Sequence, residues 1–376
     1  MKICMICADY FPFVTGAEVF SYYYSTWLVK QGHHVEVITG RWDRSLPVFE
    51  VKEGVRIHRV PILMQSNLRH MSFIMSAIGV ATRLAKNADI IHANLAFSAG
   101  FIGAKVKRAT GKPLIVTVQG GDLGDYKENT GKFGGIVKPL IRYAMENADI
   151  VHAISDHTAS LARKLGAKRI YTVGLGVDTN VFKLIKTNRD SHLLISVSRL
   201  TPKNGIVYLL KAMVTLTKKF PKLKLLIVGN GKQKGEFESF IIKNNLERKV
   251  RFVGQIEHDK LTPYLNKAMI FVRPSLDEGL GIAFLESMAC GTPVVGTTVG
   301  GIPEIVEDRK TGLLVPPANV LAVASAISEL MTNKRLYRSI ANNGLKRAKS
   351  FDWDRKNEEV FSLYKQLVKN EGNHQM

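Results

Sequence analysis

Two α/β domains in succession, each a doubly wound parallel sheet covered by helices, form the fold class that the sequence predicts, on three observations. Short β-branched runs alternate with longer helical patterns along almost the whole chain, as in parallel sheets with helices on both faces. The alternation restarts after VGLGVDTNVFKLIKTNRDS at 173–191, a polar and poorly periodic stretch with the character of an interdomain linker. The length of 376 residues exceeds one typical domain and suits two of about 150 to 200 residues, each large enough for a core.

The first half offers KICMIC, HVEVIT, VRIHRV, ADIIHA, LIVTV, ADIVHA and RIYTV as strands. The second offers HLLISVS, KLLIVG, VRFVG, MIFVRP, PVVGTT and GLLVP. An echo runs through the first half, where NADIIHA at 87–93 recurs as NADIVHA at 147–153. Each copy reads as a helix ending at Asn, then Ala-Asp leading into a buried strand with His at its C-terminal end. Two readings stand: strand ends built alike, or His92 and His152 facing a cleft, since open parallel sheets bind ligands beyond the C-terminal ends of their strands. The tail FDWDRKNEEVFSLYKQLVK, 351–369, reads as one amphipathic helix, with Asp352 and Asp354 as N-terminal caps in preference to an Asp-x-Asp metal site.

Composition narrows the function classes. Apolar residues make up 45% and charged residues 23% of the chain, as in a soluble globular protein. Three cysteines, an odd number, argue against a disulfide framework. Cys4 and Cys7 stand three apart on a strand, point to opposite faces and read as small core residues. The opening MKICMICADYFPF is too short in apolar residues for a signal peptide, and MSFIMSAIGVA at 71–81 falls far short of the roughly 20 needed to span a bilayer. The expected localisation is cytoplasmic. With 53 basic against 32 acidic residues the net charge is +21, which favours anionic partners. Nucleic acid is not among them, because basic and aromatic residues do not interleave as a stacking platform requires. The mixed apolar and basic segments at 67–86 and 132–142 suggest peripheral contact with the inner face of an anionic membrane; the competing reading makes both of them core-packing helices with solvated charges.

The richest stretch for chemistry is DEGLGIAFLESMACGTPVV, 277–295. A buried strand ending near Ser275, a glycine-rich turn from Asp277 to Gly281 and a helix over IAFLESMAC make an anion site, where free amides and the helix dipole attract phosphate. Glu278 then stands in the turn and Glu286 about one turn into the helix. A carboxylate accepts two hydrogen bonds from vicinal hydroxyls, so the spacing suggests hydroxyl, phosphate, hydroxyl: a nucleotide sugar. The stretch SVSRLTPKNG adds Arg199 and Lys203 at the end of the first strand of this half, two cations suited to a diphosphate leaving group. No cluster of His, Asp and Cys at ligand spacing accompanies them, so no metal and no bound cofactor is expected.

Together these motifs resemble the retaining glycosyltransferases of family 4. The resemblance runs through FPFVTGAE, QGHHVEVIT, GVDTNVF, SRLTPKNG, LLIVGNG, VRFVGQI, RPSLDEGLGIAFLESMACGTPVVG and GGIPEIVEDRKTGLLVPP to the helix at Trp353. It implies the GT-B fold, two facing Rossmann-like domains with an interdomain cleft. Residues 1–180 would form the N-terminal, acceptor-side domain and 181–352 the nucleotide-sugar-binding domain, with a helix at about 353–369 packing back onto the first. By the same resemblance Glu286 binds the ribose, Glu278 binds sugar hydroxyls, and the amides of Gly279, Leu280, Gly281 and Ile282 hold the phosphates and sugar. Arg199 meets the diphosphate, and Gly16 lies where the N-terminal loop approaches the reaction centre. Two positions depart from the family pattern. Asn204 stands where a second cation is usual, with Lys203 one residue earlier, and Gln119 replaces a histidine expected to contact the transferred sugar or the acceptor. Gln119, Asp122 and His92 are the candidates on the acceptor side. The implied partners are a nucleotide-diphosphate sugar and a glycan or lipid-linked acceptor.

Rival readings are fewer and poorer. A glycosidase or sugar phosphorylase built on Glu278 and Glu286 needs both carboxyls about 5 Å apart across one bond and leaves Arg199 unused. A dehydrogenase lacks G-x-G-x-x-G after the first strand. A nonenzymatic anion-binding protein would account for the charge alone.

Overall fold

The computed structural model describes residues 1–12, 17–64, 68–124 and 134–372. The chain divides into two units, Met1–Gly174 with Asp354–Met376, and Leu175–Trp353.

Among the described residues the first unit has eight strands: β1 (Lys2–Cys7), β2 (His34–Arg41), β3 (Phe49–Lys52), β4 (Val55–Pro61), β5 (Ile90–Asn94), β6 (Leu114–Val118), β7 (Ile150–Ala153) and β8 (Ile170–Thr172). Their order across the sheet is β3-β4-β2-β1-β5-β6-β7-β8. Only the pair β3 and β4 is antiparallel among them. The apolar runs read from the sequence are the central strands, and β5, β6 and β7 are buried along their whole length, as strands covered on both faces must be. Strand β3 escapes that reading, because FEVK at an edge buries none of its residues fully and so carries no apolar signal.

Helices Arg69–Ala85 and Gly134–Asn147 lie on this sheet's core. The first buries Phe73, Ile74, Ala77, Ala81 and Ala85, the second Val137, Ile141, Ala144 and Met145. These apolar residues of the two basic segments therefore pack into the protein's own interior. Cys4 and Cys7 are free and buried in β1, and burial pushes both thiols up to about 12, which leaves them uncharged core residues. No helix among the described residues is long and apolar enough to cross a membrane.

The echo of NADIIHA and NADIVHA has a structural cause. In each copy the aspartate accepts the first amide of the neighbouring strand, Asp89 from Lys2 at 2.7 Å and Asp149 from Leu114 at 2.8 Å. In each copy the histidine meets Thr117 on β6, which lies between β5 and β7. Thr117 Oγ1 is 2.7 Å from His92 Nε2 and 2.9 Å from His152 Nδ1. The outer ring nitrogens are bonded as well, His152 Nε2 to the carbonyl of Val173 at 2.8 Å and His92 Nδ1 to the hydroxyl of Tyr364 at 2.6 Å. Burial lowers His92 to about 3 and His152 to about 4. Both rings stay neutral, as a desolvated imidazole without a carboxylate must.

Tyr364 belongs to the helix Trp353–Gly372, the amphipathic tail of the sequence. That helix brings Val360, Phe361, Leu363, Tyr364 and Leu367 into the interior, with Phe361 edge-on to Trp27. Just before it, the Asp352 carboxylate accepts a hydrogen bond from the Thr179 hydroxyl at 2.6 Å.

The second unit carries six parallel strands: β9 (Asp190–Val197), β10 (Lys224–Val228), β11 (Val250–Gly254), β12 (Ala268–Val272), β13 (Val294–Thr297) and β14 (Leu313–Val315). Their order is β11-β10-β9-β12-β13-β14. The chain winds outward from β9 in one direction and from β12 in the other, so the two halves of the sheet part between β9 and β12. Strand β12 stops at Val272, three residues before the expected Ser275. Arg273 still donates its amide to Val295 at 3.1 Å, but Pro274 has no amide with which to continue the ladder.

Tyr364→Phe removes the hydroxyl beside His92 and leaves a buried ring nitrogen without its partner. The expected cost is about 1 to 3 kcal/mol, read as a lower urea midpoint with an unchanged m-value. An unchanged midpoint would show that this bond adds nothing to the attachment of the C-terminal helix.

Candidate active site

In open parallel sheets, ligands bind beyond the carboxyl ends of the strands, at the point where the strand order reverses. In the second unit that point lies between β9 and β12, and the loops that follow them converge there. The carbonyl of Lys203, in the loop after β9, accepts the amide of Leu276 at 2.6 Å and that of Asp277 at 3.4 Å, both in the loop after β12. The end of β13 and the loop after it join them, since Thr297 donates its hydroxyl to the Ser275 carbonyl at 2.7 Å and Gly301 its amide to the Glu278 carbonyl at 3.1 Å. Gly300 makes this approach possible. A Cβ there would stand inside the van der Waals radius of the Glu278 carbonyl oxygen, and its φ of +55° is one that side chains rarely adopt. The two motifs that the sequence reading singled out are thus tied into one loop cluster.

Within the cluster each glutamate is held by a basic side chain. Glu278, half-buried in the turn, pairs with the guanidinium of Arg273. Arg273 is only 7% exposed, lies over the Phe284 ring at 5.0 Å from its centroid and keeps a buried Nε that has no hydrogen-bond partner among the described residues. Gly281 turns the chain between them. Its φ is +96°, and a Cβ there would meet Phe284 Cδ2 at 2.8 Å and Arg273 Nη2 at 3.2 Å, so this glycine answers to the packing of Arg273 and Phe284. The helix Ile282–Ala289 starts directly after it, with Gly279, Leu280 and Gly281 buried and Ile282 half-buried. Its first amides face outward along the axis with no carbonyl of their own turn to bond.

Glu286, on that helix, is 4% exposed. Its Oε1 is 2.6 Å from Nε2 of His258, at the start of the 3-10 helix His258–Leu261. Burial works against the charged imidazole. The charge and hydrogen bond of Glu286, with smaller help from Asp259 and Asp178, outweigh that and raise its pKa above the ordinary value. Neither Arg273 nor His258 is among the residues singled out from the sequence. An arginine closing the apolar run MIFVRP is a signal in itself, because arginine is rarely buried without a partner. His258 gives no such signal in the polar stretch QIEHDKL.

Arg199 is exposed and Lys203 half-buried. Asn204, the departure from the family pattern, is 5% exposed, and its side-chain amide donates to the Arg199 carbonyl at 2.7 Å and to the Thr201 hydroxyl at 3.2 Å. It braces the loop that carries Arg199, so its NH2 group is engaged by the protein itself.

The acceptor-side candidates lie in the first unit. Gln119 and Asp122 stand beyond the end of β6. The Gln119 amide nitrogen Nε2 donates to Asn94 Oδ1 at 2.9 Å. The Asp122 carboxylate accepts the backbone amides of Ala96 at 2.8 Å and Gln119 at 3.0 Å; burial raises its pKa against these bonds. Asp122 therefore ties the loop after β5 to the loop after β6. His92 is corrected: it is fully buried with both ring nitrogens bonded inside the core, so no acceptor reaches it, and the reading of the echo as strand ends built alike is the one that holds. Gly16 lies outside the described residues, as does most of the segment 120–135. Among the described residues no group of three or more His, Cys, Asp or Glu is gathered as a metal would need.

Comparison with known proteins matches both units. The family described as glycosyl transferases group 1 matches residues 178–347, and glycosyltransferase family 4 matches residues 14–181. An uncharacterized glycosyltransferase of Methanocaldococcus jannaschii is 28% identical over 98% of this chain and 99% of its own length. Among solved structures, sucrose-phosphate synthase from Thermosynechococcus elongatus is similar with a TM-score of 0.86 at 24% identity, covering 98% of this chain and 99% of that one. Anabaena HepE, solved in complex with UDP and glucose, is similar with a TM-score of 0.80 at 20% identity, covering 98% and 100%.

The ion pair of His258 with Glu286 makes stability depend on pH in a definite sense. A histidine raised in the folded state contributes fully below its unfolded value of about 6.5 and loses that contribution as pH rises through the higher folded value. The difference in urea stability between wild type and His258→Gln is therefore expected to be largest near pH 6 and to shrink on the alkaline side. A difference that grows with pH would contradict the charged pair.

Proposed function

Because the chain belongs to the family 4 glycosyltransferases and has the GT-B fold, we propose that it moves a hexose-type sugar, with retention of configuration, from a nucleotide-diphosphate sugar to an acceptor hydroxyl. One observation carries the reading: a glycine turn opening a helix at the reversal point of the sheet, with a glutamate held by a basic side chain on either side. Glu286 takes the ribose diol. The amides of Gly279, Leu280, Gly281 and Ile282 take the diphosphate and the sugar, and Glu278 takes sugar hydroxyls. Arg199, with Lys203, stabilises the charge that develops as the diphosphate leaves.

The balance of the transfer needs no protein nucleophile. The bond between the anomeric carbon and the phosphate oxygen breaks as the acceptor oxygen bonds to that carbon on the same face. The acceptor proton passes to a donor phosphate oxygen, and the products are a nucleoside diphosphate and a new glycoside. The chain contributes position and charge stabilisation, with Asn204 holding the Arg199 loop in shape. The UDP and glucose bound by the Anabaena neighbour make UDP sugars the first donors to try. The net charge of +21 supports an acceptor that is anionic or presented on an anionic surface, such as a lipid-linked or envelope glycan. No metal is required in this reading, because the helix start and Arg199 are already positive where the diphosphate sits.

Incubation with UDP, GDP and ADP sugars and lipid-linked acceptors should give a glycoside of retained anomeric configuration at a rate unchanged by EDTA, with the chain co-sedimenting with anionic vesicles at low salt. Inverted product, restoration of a dead enzyme by magnesium, or hydrolysis of a glycoside without nucleotide would each remove the corresponding part of the reading. Glu286→Ala should weaken the bare nucleoside diphosphate about 10-fold to 150-fold, while Glu278→Gln should leave that affinity nearly intact and cut turnover by a similar factor. The opposite pattern in calorimetry and turnover would show the two roles to be misassigned.

A further inference from the structure

We infer that His258 is a positioning residue for the nucleotide: it fixes Glu286 through its Nε2–H, so that the other carboxylate oxygen is presented to the ribose diol of a nucleoside diphosphate. The inference rests on the donor site proposed above and extends it to a residue that makes no contact with the substrate.

The geometry supports a fixed donor. The contact from His258 Nε2 to Glu286 Oε1 is 2.6 Å, with the carboxylate side chain 5% and the imidazole 18% exposed. A glutamate has three rotatable bonds, and at the end of a helical side chain it holds one direction only if something grips it. Here one oxygen is gripped, which turns the carboxylate about a defined axis and leaves the second oxygen as acceptor. His258 is itself held. Its ring packs on Phe182 with centroids 5.0 Å apart. Its 3-10 helix buries Leu261 and runs into Thr262, whose hydroxyl donates to the Val181 carbonyl at 2.9 Å. The charged groups around the ring are Glu286 on the helix Ile282–Ala289, Asp259 on its own element and Asp178 on the segment before Phe182. All three are carboxylates. The 3-10 helix that carries His258 follows β11 and the helix that carries Glu286 follows β12, two strands of one sheet, which makes their spacing a property of the scaffold.

The test is calorimetric titration of the full chain with UDP, GDP and ADP, and with the 2′-deoxy form of whichever binds. His258→Ala is expected to raise Kd about 10-fold or more. His258→Asn, whose amide falls short of Glu286, should do the same, while His258→Gln, whose amide reaches, should return to within about threefold of wild type. For wild type the 2′-deoxy nucleotide should bind more weakly than the parent, and His258→Ala should lose most of that preference, because the hydroxyl and the imidazole act through one carboxylate. Inorganic pyrophosphate, which has no ribose, should bind all four proteins alike. If wild type binds nucleotide and all three variants bind it equally well, or if the variants lose pyrophosphate as much as nucleotide, the positioning role is overturned while the donor site stands. A wild type that binds no nucleotide overturns the donor site itself, and this inference with it. Should His258→Ala fail to fold, the contrast between Asn and Gln carries the same decision.

Discussion

A carboxylate taken out of water must be matched by a cation or by hydrogen bonds, and the loop cluster of the second unit is arranged around two such matches. Glu286 is nearly buried and meets His258; Glu278, half-buried, meets the buried Arg273 just after β12. Removing His258 would leave Glu286 a desolvated carboxylate without that partner, a loss of several kcal/mol in comparable buried pairs. The pairs therefore constrain their surroundings. Arg273 must leave the strand where Pro274 ends the ladder, Gly281 must turn with positive φ so that Arg273 and Phe284 can pack, and His258 must sit where its own loop is fastened at Val181.

The same cluster explains why backbone, more than side chain, joins the motifs. The Lys203 carbonyl receives two amides from the next loop, and the Glu278 carbonyl receives one from Gly301. These bonds fix where the amides of the turn point before any ligand arrives, and preorganisation of that kind lowers the cost of binding a diphosphate. The first unit uses a different device. Its sheet is locked by the uncharged chain from Val173 through His152, Thr117 and His92 to Tyr364, in which every member is bonded and none is left to titrate near neutrality.

Much of this was legible in the sequence. Apolar runs that are β-branched and short reported the central strands of both sheets, because burial on both faces forces that composition. The turn at Gly281 and the helix from Ile282 through Glu286 were legible because the glycines mark the one and the apolar run the other. Other features left no mark. Strand β3 is an edge with mixed polarity, and the end of β12 depended on which amide Pro274 removed from the ladder. The echo was visible, yet its histidines looked the same whether they faced a ligand or a neighbour's hydroxyl; only the positions of Thr117 and Tyr364 decide that, and both lie far away in sequence. His258 was silent for the same reason, since its meaning comes from a carboxylate 28 residues later.

The most direct measurement is a crystal structure of the chain with a bound nucleoside diphosphate. The account predicts the ribose hydroxyls on the Glu286 oxygen not held by His258, and the phosphates against the amides of Gly279 to Ile282. A nucleotide bound elsewhere, or one whose ribose leaves Glu286 untouched while the His258 contact persists, would contradict it.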